Sequence, residues 1–160
     1  SAFGLAERLG IPRQEAKQLI EGYFRSYPKV KEYMEDTVES AREKGYVATV
    51  MGRRRMIPEI NSRSAVVRGY AERNAINAPL QGSAADIIKT AMVRIHRRMH
   101  AEGLLSKMIM QVHDELIFNV VPEELDAVQR IVTSEMESAY SGRVPLTVSS
   151  GVAHNWLEAH

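Results

Sequence analysis

The chain has 160 residues, of which 44% are hydrophobic and 26% are charged, and its formal net charge is +1. These values are typical of a folded globular protein and exclude a wholly disordered chain. The sequence has no cysteine, which excludes a disulfide framework, a thiol nucleophile and a cysteine zinc site, and suits a cytoplasmic location. No apolar run approaches the roughly 18 residues that a membrane-spanning helix needs.

The charges are sorted along the chain. Residues 42–73 carry eight Lys or Arg against three Glu, which gives +5, whereas residues 102–140 carry eight carboxylates against two basic residues, which gives −6. A basic stretch can bind a phosphate backbone by releasing its counterions, although charge alone favours solvated helix faces. A further group of basic residues is predicted to form a solvated helix face: Lys89, Arg94, Arg97 and Arg98.

The first 45 residues are predicted to form three helices. The first helix ends at Gly10, and the second begins at Pro12, because proline suits the first helical turn. The Tyr27-Pro28 pair breaks the second helix. The third helix ends at Gly45, which is expected to adopt the left-handed conformation that stops a helix.

Residues 46–58 (YVATVMGRRRMIP) are predicted to form two short strands joined by a turn at Gly52. This arrangement puts the three consecutive arginines at residues 53–55 on or beside a loop tip. A long helical pattern follows over residues 64–101, and Pro79 interrupts it. Because proline removes a backbone hydrogen bond and collides with the preceding turn, we expect a kink or a junction of two helices there.

A tight β-hairpin is predicted in the last third of the chain. Residues 105–112 and 115–121 are rich in strand-forming side chains and are separated only by His113 and Asp114. Gly103 is expected to close the helix that precedes this hairpin.

A helix and a final strand are predicted after the hairpin. Pro122 starts the helix, and two glutamates follow it where the helix dipole favours them. Residues 144–152 are predicted to form the strand, with Trp156 and Leu157 packed back on the sheet. The predicted fold class is therefore α+β: helices first, then a small antiparallel sheet with helical cover.

The predicted hairpin carries the most informative residues of the chain. Asp114 and Glu115 stand between two apolar runs, where adjacent carboxylates are costly unless something offsets their charge. A divalent cation does so, and hard oxygen ligands select Mg²⁺ or Mn²⁺. From the residues alone, a plain hairpin with a polar turn at the surface is an equally weighted alternative. A zinc site is disfavoured, because the run around His113 lacks the paired histidines of helical zinc sites.

The sequence around this hairpin resembles a known enzyme family. QVHDELIF at residues 111–118 is similar to motif C of the family A DNA polymerases. Further blocks resemble that family in the same order: SAFGLAERLGIP, YFRSYPKV, GYVATVMGRRRMIP, AERNAINAPLQGSAADIIK and VPLTVSSGVAHNW. The resemblance implies that residues 1–99 are the C-terminal part of a polymerase fingers domain and residues 100–160 the C-terminal part of its palm.

The resemblance also implies a reaction. This reaction is template-directed DNA synthesis in replication and repair, in which a nucleotide is transferred from a dNTP to a primer 3′-hydroxyl. Asp114 would be a ligand of the two catalytic Mg²⁺ ions, which stabilise the attacking hydroxyl and the leaving pyrophosphate. Glu115 would lie behind the metal ligands or near the primer end, and His113 would contact the backbone of the primer terminus.

DNA contacts are implied on two other segments. Arg73, Asn77 and Gln81 follow at intervals of four residues and share one helix face. Such donors suit the minor groove, where every base pair offers an acceptor, and in the family these positions contact the nascent base pair. Arg53, Arg54 and Arg55 are expected to support the first hairpin and to contact template phosphates, with Glu59 or the nearby helices as the alternative partners.

The chain departs from the full family pattern, because motifs A and B are absent from it. The motif A aspartate should share both metal ions with Asp114, and motif B grips the incoming triphosphate. We therefore predict that the chain alone binds Mg²⁺ weakly and polymerises nothing, and that the missing N-terminal part of the polymerase is its partner. The alternative function is a non-catalytic nucleic-acid-binding module with the same fold.

Two further expectations follow from the same comparison with the family pattern. The chain starts without an initiator Met, so it is expected to have been cut from something longer, whereas NWLEAH resembles a natural C-terminus. Surfaces that should be covered by the missing parts are expected to be exposed around residues 105–121. Self-association or reduced stability is expected as a result.

Overall fold

The computed structural model describes residues 2–159, which form six α-helices and four β-strands. The strands form two separate two-stranded antiparallel sheets, which confirms the α+β class. The chain packs into two compact units that divide between Pro79 and Leu80. These units describe packing alone, so the assignment of residues 1–99 to fingers and 100–160 to palm stays a prediction.

Three helices open the first unit, namely α1 (Ala2–Leu9), α2 (Arg13–Ser26) and α3 (Pro28–Lys44). Their ends lie where the sequence predicts them. Gly10 and Gly45 have φ angles of 65° and 75°, a left-handed conformation that costs glycine little and stops a helix. A proline begins α3, where its missing N–H breaks no helical hydrogen bond.

The predicted arginine-bearing hairpin is present and follows α3. Its strands β1 (Tyr46–Ala48) and β2 (Arg54–Met56) pair antiparallel, and Gly52 in the connecting loop has φ 82°. Val47 is its buried residue, whereas every residue of β2 is exposed. The buried core of this unit consists of Ala41, Val47, Ile57, Ile60, Ala71, Ala75 and Ala78.

Helix α4 (Ala65–Ala101) runs for 37 residues without interruption and contains Pro79. Of the two outcomes expected at Pro79, the junction of two helices is therefore wrong, and the kink stays a prediction. Internal proline costs about 3 kcal/mol, and burial of apolar side chains on both sides of it offsets that cost. Those buried side chains are Ala71, Ala75 and Ala78 before Pro79, and Ala91, Ile95 and Met99 after it. Within residues 2–159, no helix is both long and apolar enough to cross a membrane.

The second unit is built on the predicted hairpin. Strands β3 (Lys107–Val112) and β4 (Glu115–Asn119) pair antiparallel, and a 3₁₀ turn (Pro122–Glu124) leads into α5 (Leu125–Glu137). The helix predicted from Pro122 is thus confirmed, with one tighter turn at its start. The buried core of this unit consists of Ala91, Ile95, Met99, Val128, Ile131 and Ala139.

The final strand predicted at residues 144–152 is wrong, because that segment adopts no strand conformation. It is held to α5 by side chains instead. The Val148 N–H donates to the Glu137 carboxylate at 3.2 Å, and Gln129 Nε2 donates to Ser150 Oγ at 2.7 Å. A strand is defined by its partner, and no other strand among the described residues pairs with this segment.

A short helix α6 (Trp156–Ala159) closes the described chain. Leu157 is 89% exposed and Trp156 is 46% exposed. The prediction that this pair packs back on the sheet is therefore wrong for Leu157.

Candidate catalytic hairpin and nucleic-acid interface

The turn of the β3–β4 hairpin consists of two residues, His113 and Asp114, because Val112 pairs directly with Glu115. His113 has φ 53°, which a side chain with a Cβ adopts at a cost of about 1–3 kcal/mol. The side-chain amide of Gln111 donates to the carbonyl oxygen of His113 at 2.6 Å. This hydrogen bond holds the strained turn from inside its own hairpin.

The predicted catalytic side chains lie together at this turn. His113 and Asp114 are exposed, and Glu115 is half-buried. The expected cost of placing this carboxylate pair in an apolar environment therefore does not apply to Asp114, since solvent reaches it. Taken by itself, the geometry is that of a polar surface turn whose carboxylates can be reached by a ligand.

The body of the hairpin is anchored by its apolar residues. The register of β3 shifts between Met108 and Met110, so Ile109 is an extra residue that β4 does not pair. Such a β-bulge increases the local twist and can redirect the strand beyond it. The partly buried hairpin residues that pack on the second core are Met108, Leu116, Phe118 and Val120.

The base of the hairpin is closed by a polar cluster that the sequence analysis missed. The Glu124 carboxylate accepts hydrogen bonds from the Leu105 N–H at 2.9 Å, the Ser106 N–H at 2.8 Å and the Ser106 hydroxyl at 2.6 Å. Ser106 Oγ in turn accepts the Val121 N–H at 2.9 Å. The Leu105 N–H, followed by the Ser106 hydroxyl and N–H, lowers the pKa of Glu124. No local motif signals this cluster, because its members lie up to 19 positions apart.

The donors of this chain fit a Mg²⁺ site only in part. The carboxylates of Asp114 and Glu115 are the hard oxygen ligands that Mg²⁺ prefers. However, residues 2–159 bring together no group of three or more His, Asp or Glu side chains that could hold a metal ion. His96 and His100, four residues apart on α4, belong to no such group either. The described residues do not make a complete metal centre.

The predicted minor-groove residues lie on the continuous helix α4. Arg73, Asn77 and Gln81 are all exposed and follow at intervals of four residues. The Arg73 guanidinium lies 5.8 Å from the centroid of the Tyr70 ring, which is itself exposed. The row therefore consists of polar side chains that a bound nucleic acid can reach.

The three consecutive arginines are presented on the exposed strand of the first hairpin. Arg54 and Arg55 lie in β2, and Arg53 precedes them with its N–H donated to Thr49 Oγ1 at 3.1 Å. The guanidinium of Arg54 lies 4.7 Å from the centroid of the Tyr46 ring. Stacking on an aromatic ring restrains an arginine while leaving its N–H donors available.

Other basic residues of the same stretch are neutralised within the chain. Arg42 bonds Glu72 at 2.7 Å and Glu39 at 3.2 Å, and these hydrogen bonds, that of Glu72 first, raise the pKa of Arg42. Arg68 Nε lies 3.9 Å from the Glu72 carboxylate, and Arg68 Nη1 donates to the carbonyl oxygen of Ser62 at 3.0 Å. The net basic balance of this stretch is thus not spread evenly over its surface.

Two of the four residues predicted to form a solvated face also make hydrogen bonds to α5 or to the residue that follows it. Arg98 bonds Glu102 at 3.0 Å and Glu135 at 3.1 Å, and these hydrogen bonds, that of Glu102 first, raise its pKa. Arg94 Nη1 donates to the Ser138 carbonyl oxygen at 2.9 Å. Arg94 is exposed, in agreement with the solvated-face prediction, whereas that prediction is wrong for Arg98, which is half-buried.

Comparison with known proteins adds independent support for the resemblance. The sequence model of the family described as DNA polymerase family A matches residues 1–158 of the chain. The chain is 51% identical over 159 residues to DNA polymerase I of Lactococcus lactis subsp. lactis. It is 48% identical over 159 residues to DNA polymerase I of Bacillus caldotenax. Both alignments cover 99% of this chain, which spans only 18% of the length of each relative.

A solved structure shows the same fold. The POL domain of Pol1 from M. smegmatis, in complex with a DNA primer-template and dNTP, superposes with a TM-score of 0.97 and is 46% identical. The match covers 99% of this chain and 28% of that one. Taken with the sequence match over residues 1–158, these findings show that the chain belongs to DNA polymerase family A.

Proposed function

We propose that this chain is part of an enzyme that performs template-directed DNA synthesis in replication and repair, adding nucleotides from dNTPs to a primer 3′-hydroxyl. The observation that carries the proposal is the hairpin with Asp114 and Glu115 beside its turn, in a chain that belongs to DNA polymerase family A. The solved relative was captured with a primer-template and dNTP, which supports the same partners here. The proposed role implies a cytoplasmic location.

In this proposal, the turn residues act at the primer end. Asp114 supplies one carboxylate to a Mg²⁺ site whose other ligands come from the rest of the polymerase, and bound Mg²⁺ stabilises negative charge on the reacting oxygens. Glu115, half-buried beside it, orients the end of the hairpin near the primer. His113 is exposed and can donate a hydrogen bond to the backbone of the primer terminus.

The exposed polar row on α4 is proposed to bind the minor groove of the nascent base pair. Arg73, Asn77 and Gln81 can each donate to N3 of a purine or O2 of a pyrimidine, acceptors that every base pair presents in similar positions. A polymerase needs such contacts, because it must test the shape of a correct pair without reading its identity.

The arginines of the first hairpin are proposed to bind phosphates of the template strand. Arg53 and Arg54 are exposed and adjacent, which suits contacts that position a strand without selecting its sequence. This segment would belong to the fingers, within residues 1–99, and the catalytic hairpin to the palm, within residues 100–160.

The isolated chain is proposed to bind DNA without extending a primer. The described residues supply an incomplete metal centre, and the chain covers a small part of its relatives. The exposed arginines at residues 53–55 favour nucleic-acid binding as the remaining activity. A Mg²⁺-dependent primer-extension assay of the isolated chain should give no product, and synthesis by this chain would contradict the proposal.

Apolar side chains of the catalytic hairpin suggest a second property of the isolated chain. Ile109 is 61% exposed and Met110 is 41% exposed on β3, a strand whose outer edge is unpaired within residues 2–159. We propose that the rest of the polymerase covers this surface. Sedimentation velocity should therefore show that the isolated chain associates as its concentration rises, whereas a concentration-independent monomer would contradict this proposal.

The proposed function is tested by primer extension with the full-length polymerase. Asp114→Ala should abolish detectable extension, because the proposed Mg²⁺ site loses the carboxylate that this chain supplies to it. Asp36→Ala is the matched control, since Asp36 is an exposed aspartate on α3 and should leave extension unchanged. Wild-type extension by Asp114→Ala would overturn the assignment.

A further inference from the structure

The cluster at the base of the catalytic hairpin, formed by Leu105, Ser106, Val121 and Glu124, acts as a clasp. Glu124 accepts three hydrogen bonds from Leu105 and Ser106, which directly precede β3. Ser106 accepts one from Val121, which lies two residues after the end of β4. The last pair of the strand ladder joins Lys107 to Asn119. The clasp therefore continues the hairpin beyond its ladder, at the end opposite the turn.

The Glu124 side chain makes its hydrogen bonds with the hairpin and not with the helix that Glu124 precedes. Glu124 occupies the N-cap position of α5, where a side chain normally accepts a hydrogen bond from the first turn of the helix. It makes no such capping hydrogen bond. Its carboxylate accepts three hydrogen bonds from the hairpin instead, and the 3₁₀ turn Pro122–Glu124 leads into α5.

The burial of the partner strengthens these hydrogen bonds. Ser106 is only 6% exposed, and it is the buried polar residue among the described side chains. Its hydroxyl donates to Glu124 and accepts from the Val121 N–H. Hydrogen bonds to an ionised carboxylate are stronger and more directional than those between neutral groups. These hydrogen bonds favour the charged carboxylate, and they lower the pKa of Glu124.

We propose that Glu124 and Ser106 are positioning residues, which fix the angle of the β3–β4 hairpin and thereby the place of the Asp114 carboxylate at its turn. Apolar packing holds the hairpin on the core without fixing its tilt, because it is not directional. The strand between the clasp and the turn is on the order of 20 Å long. A tilt of about 3° at the base would move the turn by about 1 Å, an error that can lower a reaction rate about a hundredfold.

The first test measures the clasp without any enzymatic activity. In the full-length polymerase, Glu124→Ala should raise the amide hydrogen-exchange rates of Leu105, Ser106 and Val121 by at least about tenfold, because their acceptors are lost or released. Glu123→Ala is the matched control, since Glu123 is an exposed glutamate in the same 3₁₀ turn. Equal exchange rates in the two variants would overturn the clasp.

The second test measures positioning and rests on the proposed polymerase function. In single-turnover experiments with the full-length polymerase, Glu124→Ala should slow nucleotide incorporation by about tenfold to a hundredfold. The amplitude of the single-turnover reaction and the apparent Kd for dNTP should stay within twofold of wild type. A merely structural role would lower the amplitude and leave the rate intact, and either that result or no change would overturn the proposal.

A milder pair of variants keeps the proposal testable if Glu124→Ala fails to fold. Ser106→Ala removes the hydroxyl at the centre of the clasp, whereas Ser106→Thr retains it, so Thr should restore most of the rate that Ala loses. Because both residues act through one shared hydrogen bond, Ser106→Ala combined with Glu124→Ala should be little worse than Glu124→Ala alone. Full additivity would contradict a clasp. Failure of the polymerase assignment appears separately, as wild-type activity in Asp114→Ala.

Discussion

The two hairpins of this chain differ in how firmly each is held. The β1–β2 hairpin has strands of three residues, one buried side chain (Val47) and a second strand that is exposed throughout. The β3–β4 hairpin has longer strands, four side chains packed on a core and a hydrogen-bonded clasp at its base. The first hairpin has fewer packed side chains and is basic, whereas the second has more packed side chains and carries Asp114 in its turn and Glu115 directly after it.

The loop of the first hairpin and the turn of the second also differ in how tightly their backbone is restrained. The first loop contains Gly52 with φ 82°, a conformation that glycine adopts without strain, and the role proposed for its neighbouring arginines depends on charge. Electrostatic attraction extends over a Debye length of about 8–10 Å, so it tolerates motion of the arginines. The second turn forces His113 into a left-handed conformation and fixes it through Gln111. Chemistry at a primer end requires placement within about 0.5 Å, which a firm hairpin can provide.

The largest predicted effect comes from removing a core side chain beneath one of the two hairpins. Ile131 is fully buried in the second unit, and Ile131→Ala should lower the free energy of unfolding by about 3–4 kcal/mol. Hydrogen exchange should speed up in β3 and β4 and stay unchanged in β1 and β2.

Ile60→Ala is the matched variant in the first unit, where Ile60 is 2% exposed. It should cost a similar free energy, measured by urea unfolding, and should affect the exchange of β1 and β2 instead. If both variants loosened both hairpins equally, the two cores would not be independent.

The salt dependence of DNA binding should distinguish the arginines of the first hairpin from other exposed arginines. Arg53→Ala and Arg54→Ala should each weaken binding a few-fold and reduce the slope of log K against log salt by about 1, because each removes one phosphate contact. Arg97→Ala is the control, since Arg97 is exposed on α4 and has no proposed contact with DNA. Fluorescence anisotropy at several salt concentrations measures the slope. An unchanged slope in both hairpin variants would refute phosphate binding by this hairpin.

The smallest predicted effect is the pH dependence of the clasp. The folded pKa of Glu124 is lowered, so its contribution to stability is fully present above the unfolded pKa near 4.3 and is lost as pH falls through the folded pKa. The stability advantage of wild type over Glu124→Gln should therefore be constant between pH 5 and 7 and shrink below about pH 4. Urea unfolding at each pH measures it. Glu123→Gln should show no comparable change, and an equal pH response in the two variants would contradict the account.

Local signals in the sequence predicted most of the fold. Helix ends at Gly10 and Gly45, and the turn at His113 and Asp114, depend on residues that are adjacent in the chain, so the sequence displays them directly. The strand predicted at residues 144–152 depends on a partner strand, which composition cannot supply. A strand-forming run therefore adopted no strand conformation.

The candidate site was predicted less completely, for the same physical reason. Asp114 and Glu115 were found from the residues beside them, but the exposure of Asp114 is a property of the folded chain. The bond from Ser106 to Glu124 and the ion pair from Arg98 to Glu135 join residues 18 and 37 positions apart. No periodicity or motif links such pairs before the chain folds.

We propose that the turn of the β3–β4 hairpin places the Asp114 carboxylate at the reacting end of a primer. Single-turnover incorporation by the full-length polymerase carrying Asp114→Asn tests it most directly, because the substitution preserves shape and removes the charge. We predict that the incorporation rate falls by about a thousandfold, while the Kd for primer-template DNA stays within twofold of wild type. Incorporation at the wild-type rate would contradict the claim.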